Sequence, residues 1–252
     1  FSLEDMGFSR DILEDFNELL ARPHGILLLT GPTGSGKTTT LYAALTKLDA
    51  TALKILTVED PVEYQLPLIN QIQVQPKIGL TFAYALRSIL RQDPDIIMIG
   101  EMRDTETAQI AVQSALTGHL VLSTLHTNTA AAAIIRLEDM GIERYLLTST
   151  VNGVLSQRLL RRLCTHCREA IDLSPELVKE SGLSHFLQND SRQVYQARGC
   201  EKCKHTGYLG RTAIHELFIM DDRMRAAINS GADATSLHAA ARQAGMMTLY
   251  ED

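Results

Sequence analysis

Short apolar runs separated by longer stretches of helical period set out the first 155 residues of the chain. Ile26–Leu29, Ile55–Val58, Ile96–Ile99 and Leu120–Thr124 are rich in Ile, Leu and Val and lack a clean apolar–polar alternation. Strands of that kind are expected where helices cover both faces of a parallel sheet. Between residues 9 and 21 the apolar positions Ile12, Leu13, Phe16, Leu19 and Leu20 share one helix face, with Ser9 placed to cap it, and Arg22-Pro23-His24-Gly25 breaks the pattern. The region to about residue 155 is therefore predicted to be an α/β core with its sites at strand ends. Beyond it the character changes. Gln157–Arg162 is basic and reads as helical, and Ser174-Pro175 and Ser184 mark two helix starts. After the stretch GYLGRTAIHELFIM, helical patterns return at 222–230 and 235–245.

Composition narrows the class only slightly. The 252 residues are 45% apolar and 21% charged, ordinary for a globular protein with room for one large domain or two smaller ones. A net charge of −6 counts against a mainly electrostatic nucleic-acid binder. The apolar runs are too short to span a bilayer, and no secretory signal opens the chain. Phe1 stands where an initiator Met would, so a fragment lacking upstream sequence is expected. The four cysteines fall in two pairs, Cys164-Thr-His-Cys167 and Cys200-Glu-Lys-Cys203, a spacing that reads as metal ligation rather than disulfides.

The chemistry is concentrated at the ends of the predicted strands. Gly31-Pro32-Thr33-Gly34-Ser35-Gly36-Lys37-Thr38 matches the Walker A pattern at every fixed position, with Thr39 next in line. Its glycines let backbone N–H groups turn towards phosphates, and the following helix offers its positive end. Lys37 is expected to reach the β- and γ-phosphate oxygens, and the Thr38 hydroxyl to ligate Mg²⁺. DPDIIMIGEMRD places Glu101 just past an apolar strand, where a phosphate-binding enzyme keeps its metal-side acid, or where an acid merely caps a loop. ILTVEDPVEY repeats that logic with Glu59, Asp60 and Glu63; two acidic strand ends could divide magnesium-side and water-orienting work, or be solvated turn residues. In GHLVLSTLHTN, His126 is read as a γ-phosphate sensor more readily than His119, against a structural role for either. Arg87 and Arg91 lie four apart on one helix face, and Arg103 follows Glu101; surface ion pairing and charge supplied to a phosphoryl group both remain open. Four thiolates from two CxxC knuckles suit a closed, structural zinc site that braces a small module.

Together the motifs are narrower than any one of them. Walker A, VEDPVE, GEMRD, GHLVLSTLHTN, the paired cysteines and GYLGR, in this order over nearly the whole chain, resemble the secretion ATPase superfamily. These are hexameric motors of type II secretion, type IV pili and related machines. The paired cysteines are similar to its assembly branch, and RTAIHELFIMDD looks more like the type II secretion side; the best resemblance is to that family's C-terminal ATPase domain. The resemblance implies an α/β, RecA-like P-loop NTPase core with a mostly parallel sheet at 1–160. It also implies a tetracysteine zinc module at 161–207 and a C-terminal helical region at 208–252 that completes the ATPase domain. It implies ATP or ADP with Mg²⁺ at the Walker loop, and zinc on Cys164, Cys167, Cys200 and Cys203. Glu101 would be the metal-side acid, Glu59 would position or activate water, and His126 would contact the γ-phosphate region. Arg87, Arg91 and Arg103 would serve nucleotide sensing or subunit contacts, and Arg211 would lie near the base. A cytoplasmic homo-hexamer held at the inner membrane by platform proteins, mainly through missing N-terminal domains, and no nucleic acid, complete that expectation. Without those domains hydrolysis should be slow. A type IV pilus assembly ATPase is the alternative, ahead of a nucleic-acid motor or a small-molecule kinase.

Overall fold

The four apolar runs are adjacent strands of one sheet in a computed structural model that describes residues 2–187 and 192–252. In chain order the elements begin with α1 (Arg10–Leu20), β1 (Gly25–Thr30), α2 (Lys37–Lys47), β2 (Ile55–Glu59) and β3 (Asn70–Gln73). They continue with α3 (Phe82–Leu90), β4 (Ile96–Ile99), α4 (Thr105–Leu116), β5 (Leu120–Leu125), α5 (Ala130–Asp139) and α6 (Arg144–Thr150). Then come β6 (Val151–Leu163), β7 (Glu169–Asp172), α7 (Pro175–Glu180), β8 (Gln193–Gln196), β9 (Tyr208–Ile219), α8 (Asp222–Asn229) and α9 (Ala234–Gln243). The large sheet has the order β3-β2-β4-β5-β1-β6-β9, and β1 pairs in parallel with both β5 and β6, as β2 does with β3 and β4. β4 and β5 complete the parallel set.

The absence of alternation in the strands has a direct cause. Every residue of β1, β2, β4 and β5 is buried. Along β1, Ile26 and Leu28 enter one apolar cluster with residues of α3, α4, α5, α6, α8 and α9. Leu27 and Leu29 enter the other, with α1 and α2. A strand buried on both faces has no polar side to display.

Four readings of the sequence are corrected. Gln157–Arg162 is not a helix but part of β6, whose pairing with β1 (Thr30 opposite Ser156) buries Val154, Leu155, Ser156 and Gln157. Long-range pairing outweighs local helical propensity there. The region 208–252 opens on a strand, β9, before its two helices α8 and α9, which Asp221 and Asp233 cap through Met224 and Ser236 N–H. Ser174 does cap α7, but Ser184 lies inside a single 3₁₀ turn, Leu183–His185. Ser9 precedes α1 without a capping bond from its side chain.

The chain divides into two units, Phe1–Leu159 with Ala213–Asp252, and Leu160–Thr212. The second holds the antiparallel pair β7–β8 and the four cysteines; residues 188–191 of the expected module lie outside the described residues, as does Phe1. Among the described residues no helix is long and apolar enough to cross a membrane.

Candidate active site

Because β1, β2, β4 and β5 run the same way, their C-terminal ends gather at one edge of the sheet, and the residues that follow them meet. Gly34, Ser35, Gly36, Lys37, Thr38, Thr39, Glu59, Asp60, Glu63, Glu101 and His126 line a single cleft of about 340 Å³, together with Thr33. Gly31 and Pro32 are not among its lining residues.

The loop after β1 is shaped as a phosphate cradle. Gly34 and Gly36 have φ of 78° and 90°, in the left-handed region, and Gly36 is the N-cap of α2. Side chains are also excluded by space: a Cβ on Gly31 would come within 2.5 Å of the Gln157 carbonyl, and one on Gly36 within 2.7 Å of Gln157 Nε2. Lys37 is buried and donates to the carbonyls of Gly31 (2.7 Å) and Pro32 (3.0 Å), folding over the loop. Burial pulls its ammonium below the usual lysine range, the Glu101 carboxylate opposes this, and Arg158 adds to the depression. Ser35 Oγ is buried with no hydrogen-bond partner. A cation, an orphaned hydroxyl and inward-turned glycines fit a bound polyphosphate.

The two acids differ in setting. Glu59, 3% exposed, accepts hydrogen bonds from Tyr42 Oη on Oε1, and from Thr57 Oγ1 (2.5 Å) and Gln71 Nε2 (3.0 Å) on Oε2. Tyr42 Oη also accepts the Glu63 N–H at 3.2 Å. Burial, with the bond to Glu59, raises the Tyr42 phenol well above its usual range. Glu101 is more open and is paired with Arg103, whose bond holds its carboxyl below the usual range; His126 Nε2 lies 3.4 Å from its other oxygen. The turn that carries Glu101 is pinned to β5 through Thr124 Oγ1 to Gly100 O (2.7 Å) and Met102 N–H to Thr124 O (3.1 Å).

The expected arginines are not in the cleft wall. Arg87 pairs with Glu106 at 2.5 Å, and Arg91 donates to the Arg87 carbonyl at 3.0 Å at the end of α3. Arg103 bridges Glu101 and Asp60, so it joins the ends of β4 and β2 from beside the site. Arg211 lies in the part of β9 that belongs to the second unit. His119 precedes β5, at the opposite end of that strand from His126, and its Nδ1 sits 2.9 Å from the Ser114 carbonyl.

In the second unit, Cys164, Cys167, Cys200 and Cys203 place all four sulfurs within 4.8 Å of one another. Three Sγ–Sγ separations are 3.8–3.9 Å. Tetrahedral coordination with metal–sulfur bonds of about 2.3 Å puts sulfurs about 3.8 Å apart, so the set can hold a zinc-sized ion. Burial pushes the Cys203 thiol up, but N–H donors from Cys200 and Gly207 (each 3.2 Å), together with the neighbouring Cys167 and Cys200 thiols, bring it down to about 6.

Sequence reasoning did not single out Tyr42, Thr57, Gln71 or Gln157. For Gln157 the available signal was a lone amide following the apolar Val154-Leu155, which fits a polar group inside a strand.

A family model for type II/IV secretion system proteins matches residues 1–252. The type II secretion system protein HxcR of Pseudomonas aeruginosa is 58% identical over 250 residues, covering 99% of this chain and 49% of that protein. Type II secretion system protein E of Xanthomonas campestris is 56% identical over 252 residues, covering 100% and 44%. The type IV pilus assembly ATPase PilB of Thermus thermophilus is 52% identical over 250 residues, covering 99% and 28%. The chain thus spans about half, or less, of the length of these curated relatives. Among solved structures, the pilus retraction motor PilT with bound ADP superposes with a TM-score of 0.66 at 29% identity, covering all of this chain and 65% of the other. The Legionella pneumophila ATPase DotB gives 0.65 at 26% identity, covering 96% and 57%.

Proposed function

Since the chain belongs to the type II/IV secretion system protein family, we propose that it is the ATP-hydrolysing portion of a type II secretion motor, a cytoplasmic ring protein that turns nucleotide hydrolysis into pseudopilus assembly. The observation that carries the enzymatic part is the single cleft in which the glycine loop, Lys37, Glu59, Glu101 and His126 converge. The relatives named for type II secretion, at 58% and 56% identity, favour that branch. PilB, at 52%, keeps type IV pilus assembly as the second reading.

In this reading the N–H groups from Gly34 to Thr39, at the positive end of α2, hold the phosphates. Lys37 exchanges its two loop carbonyls for phosphate oxygens. Thr38 and Glu101 would hold magnesium, which would supply neutralisation of the phosphate charge. Glu59, with Oε2 taken by Thr57 and Gln71, offers the remaining lone pair of Oε1 to a water. The water oxygen then bonds to the terminal phosphorus as the bond to the bridging oxygen breaks; one water proton passes to Glu59, the other stays on the inorganic phosphate, and ADP is the leaving group. His126, beside Glu101, senses the terminal phosphate. Arg87, Arg91 and Arg103 present positive charge at the rim for a neighbouring subunit, and Arg211 serves the base. Hexamer formation and docking to inner-membrane platform proteins belong to the longer protein.

The test is phosphate release from Mg·ATP by the unaltered chain and its variants. Lys37→Ala should abolish turnover, whereas Glu59→Gln and Glu101→Gln should retain nucleotide binding and lose hydrolysis by about 10²-fold or more. Full turnover by Lys37→Ala would refute the phosphate role. Stimulation many-fold by single-stranded DNA would favour a nucleic-acid motor instead.

A further inference from the structure

Gln157 has no part in the mechanism above, yet it is 1% exposed and its amide is hydrogen-bonded at both ends under the phosphate loop. Resting on the nucleotide reading of Gly31–Thr38, we propose that Gln157 is a positioning residue that fixes the direction of the Gly36 N–H and so pre-forms the phosphate cradle.

The topology brings it there. β6 lies beside β1 with Ser156 opposite Thr30, so Gln157 is level with the first residue of the loop. Its main-chain oxygen packs against Gly31 and its side-chain amide against Gly36, close enough that a Cβ at either glycine would collide. The amide itself is held at both ends: Oε1 accepts from Thr40 Oγ1 at 2.8 Å, and Nε2 donates to the Ser35 carbonyl at 2.8 Å. The second bond matters most. In a trans peptide the C=O and the following N–H point in opposite directions. Drawing the Ser35 carbonyl towards β6 therefore aims the Gly36 N–H away from β6. Gly36, at positive φ and without a side chain, would otherwise leave this peptide free to rotate. Gln157 removes that freedom during folding, so that binding does not incur the ordering cost.

The experiment measures two affinities in the presence of Mg²⁺: that of a fluorescent ATP analogue, by anisotropy, and that of inorganic tripolyphosphate, by displacement. Tripolyphosphate reads the cradle without the base. Gln157→Leu removes both amide bonds. Gln157→Glu keeps an acceptor for Thr40 but turns an oxygen towards the Ser35 carbonyl. Both variants, measured well below their thermal midpoints, should weaken both ligands by about ten-fold or more. Thr40→Val leaves the bond to Ser35 in place and should lose only about three-fold.

Folded Gln157→Leu and Gln157→Glu proteins that bind both ligands within about two-fold of the unaltered chain, while Lys37→Ala does not bind, would overturn the assignment. So would a lower thermal midpoint with affinity unchanged. If Gln157→Leu does not fold, the Gln157→Glu and Thr40→Val pair decides, and equal affinities across them reject the proposal. Failure of the unaltered chain to bind either ligand would instead bring down the nucleotide reading itself.

Discussion

His215 is wholly buried and stacked flat on Phe8, with 3.8 Å between ring centroids, 5° between planes, and neither ring nitrogen hydrogen-bonded. Burial pulls its imidazole down to about 4 from the usual 6.5. The Asp252 carboxylate accepts the His215 backbone N–H at 2.7 Å but stays 3.9 Å from Nδ1, beyond hydrogen-bonding reach, so it does not offset that burial. The folded state thus keeps a neutral ring where the unfolded chain takes up a proton. Stability present above pH 6.5 is lost as pH falls from there towards 4, by about 2 kcal/mol at pH 5. His215→Phe keeps a stacked ring and should flatten this part of the profile. Urea unfolding at about pH 7.5 and about pH 5 checks it, and an unchanged slope would place the acid sensitivity elsewhere.

At the scale of elements, β6 is held tightly on both sides. A Cβ on Gly153 would meet Leu19 Cδ1 of α1 at 2.6 Å and the Phe218 carbonyl of β9 at 2.9 Å. The carbonyl belongs to a sheet neighbour and cannot swing aside as a side chain does. Gly153→Ala should therefore cost about 1–3 kcal/mol and lower the thermal midpoint by about 2–4 °C per kcal/mol. Calorimetry gives the value, and an unchanged midpoint would mean that α1 moves without cost. This crowding also explains why β6 was hard to read. Its charged residues, Arg158, Arg161 and Arg162, fall in its more exposed half, while Val154 to Gln157 are buried by partners more than a hundred residues away in sequence. By contrast β1, β2, β4 and β5 were legible because burial on both faces leaves an unbroken apolar run, and the loop after β1 was legible because its glycines are required one by one. The web around Glu59 was not, since Tyr42 and Gln71 reach it from 17 and 12 residues away through contacts that no local pattern encodes. For Arg87 and Arg91 the helix spacing was visible, but the bonding of Arg87 to Glu106 and of Arg91 to the Arg87 carbonyl was not.

Over the whole molecule, the division into two units separates two kinds of stability. The unit with the large sheet has apolar clusters on both faces. Leu160–Thr212 contributes Cys164, Cys203 and little other buried apolar surface among its described residues, so four sulfurs stand where a core would. Elemental analysis should find about one zinc per chain. A strong chelator, or Cys164→Ser, should open this unit to protease while the remainder keeps its melting transition; equal protease resistance without metal would remove the bracing role. Within the larger unit, α2 gives its first residue, Lys37, to the loop and, a turn and a half later, its Tyr42 phenol to Glu59. One helix thus carries both the cation of the loop and the tether of the buried acid. Under the proposed hydrolysis, any displacement of α2 would reach the Lys37 end and the Tyr42 bond to Glu59 together, so grip and acid could not be reset one at a time.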